Sequence, residues 1–110
     1  MDIERGNVYW VNFAPSVGCE IRKTRPAIVI SNNGANAALN RVQLIPITSK
    51  TERLYPGEAL IDLNGEKRKA MADQLTTVSK QRPGNKLGAV GLADMGRIES
   101  AGMLQLALKP

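Results

Sequence analysis

Two predicted strands and the loop between them make up the stretch "NVYWVNFAPSVGCEIRKTRPAIVIS", residues 7 to 31. Residues 7–13 are rich in aromatic and β-branched side chains with partial alternation, which is typical of a strand. Residues 26–31 form a continuous apolar run bounded by turn residues, which predicts a buried strand. The loop, residues 14–24, is long for a connection in a small domain, and loops of that length commonly carry function.

Three cations precede the second strand, namely Arg22, Lys23 and Arg25. Pro26 fits the first position of a strand because it has no N–H to donate to the ladder, and it restricts Arg25 to extended conformations. One interpretation is a solvated loop whose cations keep the protein soluble. The other is a phosphate site, since a guanidinium presents a rigid fork of donors that matches phosphate oxygens and stays charged. In such a site Arg25 is held rigidly and its two neighbours steer the ligand.

Strands and turns continue beyond this stretch. Residues 32–40 indicate a turn with one helical turn in it, and residues 50–57 indicate a second exposed loop. The dipeptide Asn64-Gly65 is a strong hairpin signal. The predicted strands are residues 41–49, 58–64, 69–78 and 86–92, with 58–64 and 69–78 as the two arms of that hairpin.

The period changes near the end of the chain. From Asp94 to Leu108 apolar side chains recur every three or four residues, which predicts an amphipathic helix. The recurring residues are Met95, Ile98, Ala101, Leu104 and Leu108. The whole pattern therefore predicts one domain, residues 1–110, that is a mainly antiparallel β-barrel with a C-terminal helix.

Composition limits the classes of function. Fifteen Lys and Arg against ten Asp and Glu give a net charge of +5, which favours an anionic partner. The chain has no histidine and only one cysteine, so it lacks the usual ligands of transition metals. It also lacks histidine as a general acid or base. No apolar run is long enough for a membrane helix, and the first residues do not resemble a signal peptide. We therefore expect a cytoplasmic protein with no metal, no cofactor and no membrane contact.

A second polar group lies where the predicted strand 41–49 becomes a loop. Its members are Thr48, Ser49, Lys50 and Arg53. Such a group is also an ordinary strand end with turn chemistry. We expect a plain hairpin with the strand 26–31 to leave these hydroxyls at the opposite end from Arg25, so that a crossover or strong coiling is required to bring them together.

Carboxylates and the cysteine complete the candidates. Glu20 lies in the first loop, and Asp73 and Gln74 lie in "MADQ". A lone carboxylate near arginines is commonly a salt-bridge partner, but Glu20 is also within sequence reach of Arg25 as a catalytic base. Cys19 has no histidine to activate it, so we interpret it as a small loop residue.

The segment "RGNVYWVNFAPSVGCEIRKTRPAIVIS" resembles the opening of the MazF/PemK/Kid toxins, whose pattern is "RGDVYWVDFDPxxGSEQxxxRPxxVIS". A "PxTS" strand end, an "ADQ" segment and a closing helix follow in the family's order, so the resemblance covers nearly the whole chain. It implies an SH3-like barrel that forms a homodimer and cleaves single-stranded RNA, chiefly messenger RNA, at short sequences without a metal. It also implies attack by the 2′-hydroxyl, which leaves a 2′,3′-cyclic phosphate and a 5′-hydroxyl end.

The resemblance assigns roles to particular residues. The family's catalytic arginine corresponds to Arg25, and its catalytic threonine corresponds to Thr48. A loop glutamate that some members use corresponds to Glu20, and an aspartate that others use corresponds to Asp73. The base stays open between Glu20 and Arg25, because arginine releases its proton only at very high pH. The remaining predicted RNA-binding residues are Arg22, Lys23, Ser49, Lys50, Arg53 and Gln74.

Two positions depart from the family's pattern. Some relatives have an arginine two residues before the aspartate, where this chain has Met71. Some have a histidine in the first loop, where this chain has Cys19 beside Gly18. Chemistry that depends on those residues is not expected in this protein, whereas a mechanism based on Arg25 and Thr48 is.

Two other functions fit the same fold. CcdB-type poisons of DNA gyrase share this barrel but have a tryptophan at the end of the chain, whereas the only tryptophan in this sequence is Trp10. A passive RNA-binding barrel would use aromatic stacking platforms, and this chain has one Trp, two Tyr and one Phe. We rank the nuclease first, the binder second and the gyrase poison third.

The expected partners follow from the same resemblance. It implies a cognate antitoxin whose acidic disordered segment neutralises the basic groove. The last helix is apolar nearly all round, which suits burial against the barrel together with contact in a homodimer. Its apolar residues near the end are Met103, Leu104, Leu106, Ala107 and Leu108.

Overall fold

Seven strands and two α-helices form the part of the chain that the computed structural model describes, residues 2–13 and 24–109. The strands are β1 (Asn7–Asn12), β2 (Thr24–Val29), β3 (Arg41–Thr48), β4 (Glu58–Leu63), β5 (Glu66–Met71), β6 (Thr76–Ser79) and β7 (Pro83–Ala89). The helices are α1 (Asn33–Ala38) and α2 (Leu92–Gln105), and a short 3₁₀ helix covers Ala72–Gln74. None of the helices described is long and apolar enough to cross a membrane.

The strands pair in the order β4-β5-β3-β2-β1-β7, and every pair is antiparallel. β6 joins the first half of β3, while the last two residues of β3 pair with β5 instead. The two edges of the sheet meet where Asn64 Nδ2 donates to the Leu87 carbonyl at 3.0 Å. The sheet is therefore strongly curled, and the predicted antiparallel β-barrel with a C-terminal helix is confirmed.

Both alternating sets of side chains are buried along the central strands. One set packs against α2 in a cluster that includes Val8, Ile28, Ile45, Ile47, Ile61, Met95, Ile98 and Ala101. The other set forms a second cluster of Ile3, Tyr9, Val11, Ala27, Val29, Val42 and Leu44. Because successive residues of a strand point to opposite faces, burial on both faces explains why the second half of β2, residues 27–29, is continuously apolar rather than alternating.

The predicted hairpin is present, but its second arm differs from the prediction. Asn64 and Gly65 have φ values of 54° and 82°, as the tight turn requires. The predicted strand 69–78 is wrong as one unit, because β5 ends at Met71, which pairs with the first residue of β4 and so reaches the end of its partner. The 3₁₀ helix then redirects the chain, and β6 pairs with β3.

The boundaries of two other elements also differ from the prediction, while a third element is where it was expected. β7 covers Pro83–Ala89 rather than residues 86–92, since Pro83 can occupy the first position of a strand. α2 covers Leu92–Gln105 rather than residues 94–108. Two residues after its end, Ala107 has a φ of 56°, which is incompatible with a continuing helix. The helical turn expected within residues 32–40 is present as α1, where the Asn32 side chain caps the helix.

Candidate active site

A pocket of about 280 Å³ opens at the ends of β2 and β3. Its described lining residues are Trp10, Arg25, Pro26, Ile47, Thr48, Ser49, Lys50 and Arg68. Three of these side chains are cations, and none of the described ones is a carboxylate. The pocket therefore has the charge of a site for an anion.

Two prolines mark the place where the pocket opens. The β2–β3 ladder runs from Val29↔Leu44 to Ala27↔Pro46 and stops there. Ile30 N–H donates to the Gln43 carbonyl, so the alternation of the ladder makes Pro26 and Ile47 the next pair to be hydrogen-bonded, and Pro26 has no N–H to donate. We attribute the end of the ladder to this missing donor, and beyond it Pro26 and Ile47 line the pocket together.

The antiparallel register brings Arg25 to the same end of the sheet as Thr48. Continuing the pairing of Ala27 with Pro46 by two residues makes Arg25 level with Thr48. The expectation that a plain hairpin would separate them is wrong, because the start of one antiparallel strand lies beside the end of the other. No crossover is needed, and both side chains line one pocket.

Arg25 is half-buried and has an unused donor. Its Nε is buried, and no described residue accepts a hydrogen bond from it. A buried donor without a partner costs about 1–3 kcal/mol. Arg25 also lines the pocket, so its guanidinium is suited to receive an oxygen-rich ligand there. On β1, Val11 pairs with Arg25 and Trp10 with Pro26, so Arg25 is held on an ordered strand.

Thr48 is the last residue of β3 and is partly exposed. Its Oγ1 accepts a hydrogen bond from the Lys50 N–H at 3.2 Å, which fixes the turn that follows. A hydroxyl that accepts one bond still has a proton to donate. Ser49 and Lys50 are exposed at the rim of the pocket.

Several predicted residues lie elsewhere. Arg53 is exposed in the segment between β3 and β4, Asp73 is exposed in the 3₁₀ helix, and Gln74 Nε2 lies 4.0 Å from the sulfur of Met71. None of the three lines the pocket as the described residues define it. The predicted residues Glu20, Arg22 and Lys23, together with Cys19, lie outside the described residues.

Four lining residues were not predicted as site residues, namely Trp10, Pro26, Ile47 and Arg68. Trp10 is 42% exposed between the buried Tyr9 and Val11, so the exposed phase of β1 carries an aromatic ring to the pocket. Arg68 lies in β5, in a run of charged residues between the two predicted hairpin arms, 58–64 and 69–78, that was not assigned to a strand. The sequence carried no signal for Trp10, because a single exposed apolar side chain is ordinary on a protein surface.

The segment between β3 and β4 is anchored by a buried ion pair. Lys69 Nζ lies 3.0 Å from Glu58 Oε1, and each side chain is only 9% exposed. Lys69 Nζ also donates to the Arg53 carbonyl at 2.9 Å and lies 5.7 Å from the centre of the Tyr55 ring. Because Lys69 pairs with Thr48 across β3 and β5, this anchor lies directly beside the pocket.

The described residues contain no group of three or more His, Cys, Asp or Glu side chains placed to hold a metal ion. The chemistry available in the pocket is instead that of guanidinium, ammonium and hydroxyl groups. These groups can bind an anion, donate protons in hydrogen bonds and stabilise developing negative charge.

The fold and the site together define a class of protein: a small curled β-barrel with a C-terminal helix and a cation-lined pocket at its strand ends. A family model described as PemK-like, MazF-like toxin of type II toxin-antitoxin system matches residues 4–106. The chain therefore belongs to this family, as the resemblance predicted.

Known proteins agree with that assignment. Endoribonuclease MazF9 of Mycobacterium tuberculosis (strain ATCC 25618 / H37Rv) is 30% identical over 115 residues, covering 96% of this chain and 98% of that protein. A solved mycobacterial endoribonuclease in complex with its cognate antitoxin matches with a TM-score of 0.82 and 26% identity over 98% of both chains. MazF of Deinococcus radiodurans matches with a TM-score of 0.86 at 24% identity, over 98% of this chain and 99% of that one, a likeness of fold alone.

Proposed function

We propose that this chain is a toxin endoribonuclease that cleaves single-stranded messenger RNA in the cytoplasm, at short specific sequences and without a metal. The observation that carries the proposal is the pocket in which Arg25, Lys50 and Arg68 accompany Thr48. A lining of cations attracts the phosphate backbone of RNA. The family membership and the endoribonuclease named above support the reaction class.

The RNA supplies its own nucleophile in this mechanism. The 2′-oxygen attacks the neighbouring phosphorus, the bond from phosphorus to the 5′-oxygen breaks, and the products are a 2′,3′-cyclic phosphate and a 5′-hydroxyl end. The 2′-proton passes to a base, and the leaving 5′-oxygen receives a proton from an acid. The protein must hold the phosphate, stabilise the extra negative charge and move these two protons.

Arg25 stabilises the pentacoordinate phosphate, and its place in the lining of the pocket suits that role. Preorganised electrostatic donors of this kind contribute about 3–4 kcal/mol to a transition state. Thr48 donates a hydrogen bond from its hydroxyl to a non-bridging oxygen and keeps its proton. The base is Glu20 or Arg25, and Glu20→Gln separates the two: loss of the acidic limb of the pH–rate profile, where protonation of the base stops catalysis, assigns Glu20, and an unchanged pH profile assigns Arg25.

Metal independence is proposed from the charges that are present. Three cations line the pocket and repel a divalent ion, and Arg25 provides the positive charge that such an ion would supply to the reacting phosphate. Cleavage is therefore expected to be equal in excess EDTA and in Mg²⁺.

The test is a gel assay of the purified protein on a long single-stranded RNA in excess EDTA. Wild type is expected to cut at a few discrete sites and to leave 5′-hydroxyl ends. Arg25→Ala is expected to lower cleavage by about 10²–10³-fold. Thr48→Val removes the hydroxyl and lowers cleavage, whereas the matched control Thr48→Ser keeps the hydroxyl and retains most of it.

Other outcomes would overturn the proposal in distinct ways. RNA that stays intact but is bound would make the protein a passive binder, in which exposed Trp10 serves as the stacking surface. RNA that is neither cut nor bound would remove RNA as the ligand. Cleavage that EDTA abolishes would refute metal independence alone.

Two partners belong to the same proposal. We propose that the apolar end of α2 contributes to a homodimer, because Leu104 and Leu106 are 62% and 51% exposed. We also propose that an acidic antitoxin segment neutralises the cationic pocket, as an antitoxin accompanies the mycobacterial relative. Light scattering of wild type beside Leu104→Ser/Leu106→Ser tests the dimer, and competition between RNA and an acidic peptide tests the shared pocket.

A further inference from the structure

Arg68 approaches the pocket from the strand on the far side of β3. The sheet order places β3 between β2, which carries Arg25, and β5, which carries Arg68. Thr48 pairs with Lys69, so Arg68 lies one residue further along, towards Ser49. The two arginines therefore flank the strand end that carries Thr48, and both line the same pocket.

The guanidinium of Arg68 is held in place by its own strand. It forms an ion pair with Glu66 and donates from Nη1 to the Lys67 carbonyl at 3.2 Å. The Arg68 side chain is 29% exposed, whereas that of Glu66 is 65% exposed. A pair with one partner so open to water contributes little to stability, so a phosphate can displace Glu66 at small cost.

We propose that Arg68 binds a second phosphate of the same RNA strand, next to the one held at Arg25. This inference rests on the proposed function, since it assigns part of the same substrate to a second residue. A polyanion that enters a pocket with cations on both sides of β3 has one phosphate at the reacting position and another at Arg68. Arg68 is therefore a binding residue, and its contact with RNA is the same before and during the reaction.

The prediction that follows is specific to such a role. An interaction that is equal in the ground state and the transition state raises KM without lowering kcat when it is removed. Loss of one phosphate contact also lowers the slope of log affinity against log salt by about 0.7 for a single strand. A merely structural role of Arg68 would not change that slope.

The experiment measures binding separately from cleavage. The probe is a fluorescein-labelled random-sequence pool of 2′-O-methyl RNA, which cannot be cleaved because the attacking hydroxyl is blocked. Its anisotropy is followed with full-length wild type, Arg68→Gln and the matched control Lys67→Gln over a series of KCl concentrations. Lys67 is exposed on the same strand and outside the pocket lining, so the control removes the same charge without the same contact.

Arg68→Gln is expected to weaken binding about tenfold and to lower the salt slope by about 0.7. Lys67→Gln is expected to have a much smaller effect on both. Arg68→Lys is expected to restore the slope but only part of the affinity, because an ammonium keeps the charge without the fork. On cleavable RNA, Arg68→Gln is expected to raise KM about tenfold at unchanged kcat.

Equal salt slopes for Arg68→Gln and Lys67→Gln would overturn the inference, and so would a loss of kcat at unchanged KM. Circular dichroism melts of all three variants establish that they are folded. The two proposals fail separately in this design. If wild type does not cut RNA but binds the probe with the predicted dependence on Arg68, the nuclease proposal fails and the phosphate site stands. If wild type cuts RNA and Arg68→Gln behaves like its control, the nuclease proposal stands and the second phosphate site fails.

Discussion

Lys69 and Glu58 provide the sharpest stability prediction. Lys69→Met preserves the length of the side chain but removes the ammonium, which leaves the Glu58 carboxylate 9% exposed without its counter-ion. Breaking a buried pair in this way costs about 3–5 kcal/mol. We expect the lower end of that range, about 3 kcal/mol, because Glu58 Oε1 still accepts the Tyr55 N–H at 2.8 Å.

The loss is measurable by urea or thermal unfolding followed by circular dichroism. For a domain of this size, about 3 kcal/mol corresponds to a fall in Tm of about 10–15 °C. The matched control is Lys67→Met, two residues earlier on the same strand and exposed, which is expected to change the free energy of unfolding by less than about 0.5 kcal/mol.

A double-mutant cycle separates the pair from the packing around it. Glu58→Gln in the Lys69→Met background removes the unpaired charge and is expected to recover about 1–2 kcal/mol. A Lys69→Met variant as stable as its control would refute the reasoning, because it would mean that the Glu58 carboxylate is well solvated despite its burial. A double variant no more stable than Lys69→Met would assign the whole loss to other contacts of Lys69, such as the Arg53 carbonyl.

Two further predictions concern other contacts. Asn64→Ala removes the hydrogen bond to the Leu87 carbonyl that joins the two sheet edges, and it places alanine at a φ of 54°. We expect the free energy of unfolding to fall by about 2 kcal/mol, and a change below about 0.5 kcal/mol would show that the edges hold together without this bond. Glu99→Gln removes the ion pair with Arg5, whose side chains are 51% and 33% exposed, and should change the free energy of unfolding by less than about 1 kcal/mol in the same measurement. A larger loss for Glu99→Gln would mean that solvent screens this exposed ion pair less than its exposure implies.

The pairing of Arg25 with Thr48 was available from the sequence, although the geometry expected from it was wrong. Both strands were predicted, as was their antiparallel arrangement, and the prolines at positions 26 and 46 were visible. An antiparallel pair places the start of one strand beside the end of the next. The correct rule would have joined the two residues without help from the family resemblance.

Lys69 and Arg68 could not be placed in the same way. Residues 66–69 read "EKRK", and nothing in four successive charged residues indicates which of them is buried. The structure buries Lys69 because it lies between Thr48 on one neighbouring strand and Leu60 on the other. Which residues of a strand face the core depends on the register of its pairing. The register of β5 depends on where the chain leaves β4 for the 3₁₀ helix, and local propensity does not specify that point.

The position of the pocket follows from how β3 is shared among its neighbours. Its first residues pair with β6, its middle residues with β2, and its last two with β5. The β2–β3 ladder ends at the pair of Ala27 with Pro46, while the pairing of β3 with β5 holds Thr48 in place. The end of β3 therefore stays ordered where it separates from β2. An ordered strand end beside a gap is the arrangement in which a hydroxyl can be preorganised and still reach a ligand. For that reason we expect a substitution that restores the missing donor of the β2–β3 ladder, such as Pro26→Val, to preserve the fold while narrowing the pocket. Retained stability with reduced cleavage would support this account, and full cleavage with an unchanged pocket would contradict it.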